Sequence, residues 1–193
     1  MDLTELEFDL GRLGLKLRRG QSVELVLLAG WSEEDTRRLW ALLEATAGAG
    51  KHRLVRAGTL LERRVTWWDQ LRGLTVAKAV AEALGWTREA ARELCRRCHV
   101  EPESPLAKTS WTERKLIDFE LATVSADLVV VDDTGCDPMG VRRFTAHIRN
   151  ALSSHRFAVL GLNYPKVSSR GAWPQPWHDE NWADVRLTVT HVV

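Results

Sequence analysis

The stretch LVVVDDTGCDPMG, residues 128 to 140, decides the fold, because a run of apolar β-forming residues leads straight into two acids and a turn. A continuous apolar run that ends in turn residues predicts a strand buried on both faces, as in a parallel sheet. Pro138 suits the first turn of a helix, and apolar residues recur on one face of that helix as far as Leu152. The stretch therefore predicts a strand, a turn that carries Asp132 and Asp133, and a helix.

The same alternation of strands and helices continues on both sides of this unit. Upstream, an apolar run at 20–30 predicts a strand, and 32–48 predicts a helix that Ser32 caps and Gly48 ends. The other predicted elements are short edge strands within 3–18, a strand within 51–68, helices at 74–85, 87–100 and 110–126, a loop at 101–108, and strands at 156–163 and 183–193. This order predicts an α/β fold with a mostly parallel sheet, flanking helices and a helical insert.

Length and composition fit one domain and exclude several classes of protein. The chain has 193 residues, is 45% hydrophobic and 27% charged, and has a net charge of +1, so no overall field draws it to nucleic acid. No apolar segment approaches the roughly 20 residues that cross a bilayer. The acidic N-terminus lacks an apolar secretory core, which predicts a cytoplasmic protein. Three cysteines, an odd number, argue against a disulfide framework.

Several segments, in this order and at these separations, resemble the nucleotide-binding domain of ATP-binding cassette (ABC) proteins. They are LKLRRGQSVELVLLAG (15–30) for the strand before the Walker A loop, LTVAKAVAEALG (74–85) for the start of the helical subdomain, TSWTERKLIDFELATVSADLVVVDD (109–133) for the signature and Walker B strand, DDTGCDPMGVRRF (132–144) for the D-loop, and HRFAVLGLNYP (155–165) for the switch strand. The resemblance implies a P-loop-NTPase-like (ABC-type) fold in one domain, 1–193, with a small helical subdomain at about 72–126.

The loop before the first long helix departs from the family's Walker A sequence. Aligned on the flanking strand and helix, Leu28 and Glu33 take the glycine positions, Glu34 takes the lysine position, and Asp35 takes the Ser/Thr position, next to Thr36. A phosphate there meets carboxylates in place of an ammonium group, and each like-charge contact at about 4 Å costs roughly 1 to 4 kcal/mol. Carboxylates in a first helical turn also favour the helix dipole. We therefore predict no phosphate site and no cofactor, with ATP and Mg²⁺ as the alternative.

The signature segment is also altered. It reads Ser110, Trp111, Thr112 and Glu113, so a tryptophan and a threonine stand where the family has two glycines. Glycines permit close approach of the backbone to a phosphate. The segment is thus predicted to be a degenerate signature.

The remaining family positions keep some of their chemistry. By resemblance Asp132 keeps the Walker B aspartate, Asp133 replaces the catalytic glutamate and is one methylene shorter, and Asn163 stands in the place of the switch histidine. An amide hydrogen-bonds but does not titrate. Because Mg²⁺ takes most of its contacts from phosphates and water, a lone aspartate is a weak metal site. We interpret the three residues as remnants and predict no catalytic residue and no bound metal.

Tryptophans and their neighbours supply candidate partner surfaces. The candidate partner-binding residues are Trp67, Trp68, Gln70, Asp137, Trp173, Trp177 and Trp182. By resemblance the first three lie where ABC domains of transporters receive a helix of the membrane subunit, and ordinary core packing is the alternative. The loop at 173–182 places aromatic residues among prolines, which indicates a contact surface or a loop that packs on the core.

Two further patterns have simpler interpretations. CRRCH (95–99) matches the c-type haem attachment pattern, but Ala91, Leu94, Cys95 and Cys98 form one apolar helix face, so core packing is favoured over a metal site with His99, and no haem is predicted. The basic segment around LVRAGTLLERR (54–64) contains an acid, and the chain is nearly neutral, so no nucleic-acid partner is predicted.

These observations predict a non-hydrolysing ABC-like pseudo-ATPase that is not an enzyme. Its role is structural or regulatory, and its partner is an active ABC ATPase paralogue, a second copy of itself or a membrane permease subunit. Such a partner would hold the cytoplasmic protein at the inner face of the membrane. One alternative is an active ABC-type ATPase whose site a partner completes. Another is a soluble protein-interaction module outside transport.

Overall fold

A parallel sheet forms the centre of the molecule. The computed structural model describes residues 5–8, 15–27, 32–58, 66–132, 134–154, 156–163 and 183–189. Strands in these ranges are β1 (Glu5–Phe8), β2 (Leu15–Arg18), β3 (Ser22–Leu27), β4 (Leu54–Arg56), β5 (Leu128–Asp132), β6 (Ala158–Asn163) and β7 (Val185–Val189). The last five form one sheet in the order β4-β5-β6-β3-β7, in which every neighbouring pair is parallel. The predicted α/β fold with a mostly parallel sheet is confirmed.

The carboxyl ends of β3 and β5 lie at the same edge of the sheet, but the two strands are not neighbours. β6 lies between them and pairs with both, so Val129 is opposite Val159 and Val26 is opposite Asn163. All residues of β5 and β6 are buried, which explains their continuous apolar sequences. Because the strands are parallel, the residues that follow their carboxyl ends share one edge of the sheet.

Helices cover both faces of the sheet. They are α1 (Glu33–Ala49), α2 (Trp67–Leu71), α3 (Val76–Leu84), α4 (Arg88–Arg97), α5 (Trp111–Thr123) and α6 (Pro138–Leu152), with a 3₁₀ turn at Leu106–Lys108. On one face Val130 and its neighbours pack with Leu43 of α1. On the other face Val129 packs with residues of α5 and α6, including Phe119 and Phe144, whose ring centroids are 6.0 Å apart.

The helix ends follow the predicted signals closely. Ser32 caps α1 as predicted, although α1 continues past Gly48 and Gly50 is its C-cap. Thr75 caps α3, and Gly85 ends it at φ 65°, a left-handed conformation that favours glycine. α6 begins at Pro138 and ends at Leu152, the bounds predicted from the sequence.

Two features differ from the prediction or extend it. The strands predicted within 3–18 pair antiparallel with each other as β1 and β2 and form a separate two-stranded sheet instead of an edge of the central one. Trp67 and Trp68, predicted to lie between a basic strand and the helical insert, begin the short helix α2. Helices α2 to α5 fall between β4 and β5, and the boundary of a helical subdomain at 72–126 stays a prediction. No helix in the described ranges is long and apolar enough to cross a membrane.

Candidate functional site at the strand ends

The carboxylate of Asp132, the last residue of β5, is held by cationic side chains. Lys115 of α5 donates from Nζ to Asp132 Oδ1 at 2.8 Å, and the Thr134 N–H donates to the same oxygen at 3.0 Å. Arg56 at the end of β4 places Nη2 3.5 Å from Asp132 Oδ2. The side chains of Lys115 and Asp132 are only 3% and 5% exposed. The strand end is therefore a buried ion pair that a second cation borders.

Burial and charge act in opposite directions on this carboxyl group. Burial by itself raises the pKa of Asp132, but the Lys115 ammonium with its hydrogen bond, together with the Thr134 N–H, outweighs it and holds the pKa below its ordinary value. Asp132 is thus ionised at neutral pH. The pair places a fixed negative charge and a fixed positive charge at the edge of the sheet.

Arg56 also links this cluster to α1. Its guanidinium carbon lies 5.3 Å from the ring centroid of Trp40, a partly buried residue on α1, in addition to its contact with Asp132. A guanidinium over an indole ring is a favourable cation–π arrangement. The strand-end charges are therefore connected to helices on both sides of the sheet.

Asn163, the last residue of the neighbouring strand β6, has a buried side chain that contacts strand β3. Its Nδ2 donates to Glu24 Oε1 of β3 at 2.9 Å, and both side chains are buried. Glu24 lies opposite Gly161 in the register, two residues before Asn163. Asn163 therefore hydrogen-bonds to a buried carboxylate of β3, and its interpretation as the remnant of a switch position stays a prediction.

The acids of α1 are engaged in their own helix. Ser32 Oγ accepts from the Asp35 N–H, and the Asp35 carboxylate accepts in return from the Ser32 N–H, which is a capping box. Glu34 is ion-paired with Arg37 and Arg38. Exposed Glu33 completes the acidic first turn. These contacts agree with the dipole interpretation, whereas residues 28–31 lie outside the described residues, so the absence of a phosphate site there stays a prediction.

The first turn of α5 has the same local motif in a different setting. Ser110 and Glu113 form a capping box, and Trp111 is 45% exposed, with the Arg114 guanidinium 5.2 Å from its ring centroid. Trp111 also lies against Gly135, where a Cβ would be 3.2 Å from the indole Cγ. The segment predicted to be a degenerate signature is therefore a capped helix start that packs on the turn after β5.

The predicted D-loop aspartate caps α6. Asp137 Oδ1 accepts from the Gly140 N–H at 2.7 Å. Gly140 is in turn so close to α5 that a Cβ would lie 2.0 Å from Thr112 Oγ1 and 3.1 Å from its Cβ. The starts of α5 and α6 are thus in close contact beside the end of β5. Asp133 lies outside the described residues.

A second surface, which we call the α2 surface, consists of Trp67, Trp68 and Leu71. Their exposed fractions are 63%, 61% and 60%, and the two indole rings meet edge to face with centroids 4.6 Å apart. The alternative of core packing for the two tryptophans is wrong, because they lie on the outer face of a short helix whose capping box, Thr66 with Asp69, holds them there. Beside α2 is a groove of about 280 Å³. Its lining includes Asp69, Gln70, Gly73, Leu74, Pro105, Ala107 and Lys108.

The cysteine motif is part of the core, as the sequence predicts. Cys95 and Cys98 are free and buried, and burial is the main cause that raises the pKa of their thiols to about 11 and about 12. Thiols of this kind are unreactive at neutral pH. Within the described ranges no group of three or more His, Cys, Asp or Glu side chains is arranged to hold a metal. The predicted partner residues Trp173, Trp177 and Trp182 lie outside the described residues.

The sequence analysis missed Lys115, Arg56 and Thr134, and one signal was present. Lys115 stands on the inward face of α5, three residues after buried Thr112 and four before buried Phe119. A lysine on a face of this kind needs a carboxylate partner, because a lone buried charge is costly. The partner, Asp132, is 17 positions further along the chain. Nothing in the local sequence identifies it.

Comparison with known proteins gives no match by sequence and clear matches by structure. No family model and no curated protein matches the chain. The bacterial ABC transporter cassette MJ0796, in a dimeric structure, is 9% identical, with a TM-score of 0.54 over 95% of this chain and 91% of that one. MJ1267, an ATP-binding cassette of an ABC transporter in its ADP conformation, is 12% identical, with a TM-score of 0.52 over 92% and 80%. The protein cbiO1 of Clostridium perfringens, part of the ABC transporter complex cbiONQ, is 10% identical, with a TM-score of 0.53 over 78% and 70%.

Since the matched structures are ATP-binding cassettes, a divalent cation at Asp132 would have to fit the groups that surround this carboxylate. Oδ1 of Asp132 already accepts from Lys115 and Thr134, and Oδ2 faces Arg56. The Asp35 carboxylate already accepts hydrogen bonds from the N–H and the hydroxyl of Ser32. A divalent cation prefers carboxylate, carbonyl and water oxygens without a competing positive charge. The residues as arranged do not fit a metal ion, and no chemical step is derived through one.

Two sequence predictions need correction in view of these matches. The predictions that the chain is not an enzyme and takes no cofactor are wrong, because the structures it matches are ATP-binding cassettes and one of them is in its ADP conformation. The predicted absence of a phosphate site rests on the charges of the loop before α1, whereas α5 and β4 bring positive charge to the same edge of the sheet. At identities of 9 to 12% the likeness concerns the fold, and the chain has the P-loop-NTPase-like fold of the ATP-binding cassettes.

Proposed function

We propose that the chain is an ABC-ATPase-like subunit of a protein complex, in which it has a structural or regulatory role and docks on a helix of a membrane permease subunit. The observation that carries the proposal is the α2 surface, where two tryptophans in mutual contact are each more than 60% exposed. In this arrangement the protein lies on the cytoplasmic side of the membrane and reaches it through its partner.

The chemistry of the α2 surface suits a helix as partner. Each tryptophan buries roughly 150–250 Å² when it is covered, and tryptophans dominate the binding energy of interfaces. The adjoining groove offers the Gln70 amide and the apolar Leu74 and Pro105. An amphipathic helix laid in a groove of this kind buries its apolar face and hydrogen-bonds at the rim. Because the capping box fixes α2, the surface is formed before the partner arrives.

The nucleotide site in this proposal forms between two cassettes. ATP lies at the carboxyl edge of the sheet, where open parallel sheets bind ligands. The acidic start of α1 supplies no counter-charge to phosphate, so the second cassette, a paralogue or another copy, completes the site. The segment from Ser110 to Glu113 and the Asp137 cap face that partner in the proposed arrangement.

Site-specific photocrosslinking in cells tests the docking proposal. A photoreactive amino acid replaces Trp68, and a matched variant carries it at Glu44, an exposed position on α1. We expect the Trp68 variant to crosslink to a cytoplasmic helix of one integral membrane protein and the Glu44 variant to give no such product. Crosslinks from Trp68 only to soluble proteins without an ATPase fold would overturn the proposal and support an interaction module outside transport.

A further inference from the structure

We infer that Lys115 is a resident counter-cation of Asp132, and that this ammonium group, together with Arg56, sets how strongly the carboxylate attracts a divalent ion. The inference goes beyond the proposed function, because it concerns the free chain and a metal ion alone. It begins from a disagreement: the fold is one that binds nucleotide, yet the strand-end carboxylate is already neutralised from within the chain.

The geometry assigns Lys115 to Asp132. The 2.8 Å contact joins two side chains that are 3% and 5% exposed, so water does not screen it. Lys115 is held by α5, whose buried face includes Leu116 and Phe119. The ammonium therefore does not move away without a shift of α5 or a change of rotamer in a packed interior.

Stability alone does not account for the pair. A buried ion pair contributes little net stability, because desolvation of both charges offsets their attraction. Apolar residues of similar volume would serve packing equally well at this position. Asp132 instead lies at the carboxyl end of β5, next to β6 and beside the turn that leads to α6. The charges are therefore located where the sheet edge meets ligands in open α/β folds.

Competition for the carboxylate follows from electrostatics. An ion that coordinates Asp132 meets the Lys115 ammonium at Oδ1 and the Arg56 guanidinium at Oδ2. Like charges a few ångströms apart repel strongly at protein dielectrics, which are far lower than that of water. Lys115, which is nearer and buried, contributes more of this repulsion than Arg56, whose side chain is 42% exposed. Distance and burial therefore predict that Lys115 weakens the binding of a divalent ion more than Arg56 does.

Binding of Mn²⁺ alone to the purified chain, followed by electron paramagnetic resonance, tests the inference. Lys115→Gln keeps a hydrogen-bond donor for Asp132 and removes the charge, and we expect it to bind Mn²⁺ at least about tenfold more tightly than the unsubstituted chain. Arg56→Gln should give a smaller increase. Lys78→Gln, which alters a lysine paired with Glu82 at 4.0 Å, should give none.

Asp132→Asn supplies the second arm and keeps the test decisive if Lys115→Gln does not fold. In the unsubstituted chain we expect Asp132→Asn to leave Mn²⁺ binding unchanged, and in the Lys115→Gln background we expect it to remove the gain. Equal Mn²⁺ affinity in the unsubstituted chain and Lys115→Gln would overturn the inference. Loss of Mn²⁺ binding on Asp132→Asn in the otherwise unsubstituted chain would also overturn it. Neither result depends on a partner, so the proposed function is tested separately.

Discussion

Helices α1 and α5 begin in the same way and have opposite electrostatic consequences. Each starts with a serine that forms a capping box with an acid three residues later, Asp35 in α1 and Glu113 in α5. The first turns of α1 are exposed to solvent, and Glu34 pairs there with Arg37. In α5, by contrast, the side chain of Lys115 is buried and bonds to Asp132. A local motif therefore fixes where each helix begins, while the packing of the helix decides which charge reaches the edge of the sheet.

The largest expected effect comes from removal of the buried ammonium. Lys115→Met leaves the Asp132 carboxylate buried beside Arg56 alone, and we expect the free energy of unfolding to fall by about 3–5 kcal/mol. The corresponding change on α1, Glu34→Gln, breaks only exposed ion pairs and should cost less than about 0.5 kcal/mol. Urea unfolding at pH 7 measures both. Similar losses in the two variants would contradict the comparison.

Two glycines give the next contrast. Gly140→Ala places a methyl group against Thr112, and we expect a loss of about 1–3 kcal/mol because α5 and α6 have no room to separate. At Gly48 in α1 an added Cβ would meet no atom of the described residues within 4 Å apart from the chain beside it in its own helix, so Gly48→Ala should stabilise by about 0.5–1 kcal/mol. Thermal unfolding of both variants shows the sign of each change. A stabilising Gly140→Ala would rule out the close contact of α5 and α6.

The serine caps should behave alike, since they are local. We expect Ser110→Ala and Ser32→Ala to lower stability by about 1 kcal/mol each, because both remove an acceptor for the N–H three residues on. Chemical denaturation of the two variants side by side is the measurement. A much larger loss of stability for Ser110→Ala would show that Ser110 also stabilises contacts of α5 with other parts of the molecule.

The smallest expected difference is in how the free energy of unfolding depends on pH, and this difference develops only below neutral pH. The folded state lowers the pKa of Asp132, so its contribution is complete above the unfolded-state pKa of about 3.9 and disappears as pH falls through the folded-state value. Between pH 7 and pH 3, the free energy of unfolding should therefore decline less steeply in the double variant Lys115→Met/Asp132→Asn than in the unsubstituted chain. Parallel curves would show that the pair does not stabilise the ionised carboxylate.

Much of the fold was predictable because its signals are local. The apolar run at 128–131 and the face of α6 defined a strand and a helix at the bounds observed. Ser32 and the acids after it predicted the start of α1. The absence of enzyme activity and of a cofactor was predicted wrongly from the same local signal, since a charge count over one loop ignores side chains that arrive from distant segments.

The alternation of strands and helices, their caps and the resemblance to ATP-binding cassettes follow from the amino-acid sequence without the structure, because periodicity and capping depend on residues only a few positions apart. Tertiary structure alone decided that Lys115 and Arg56 meet Asp132, that Trp67 and Trp68 face outward and that Asn163 turns to Glu24. These contacts join residues that are distant in sequence. Strand order and helix packing bring them together, and no local pattern encodes either one.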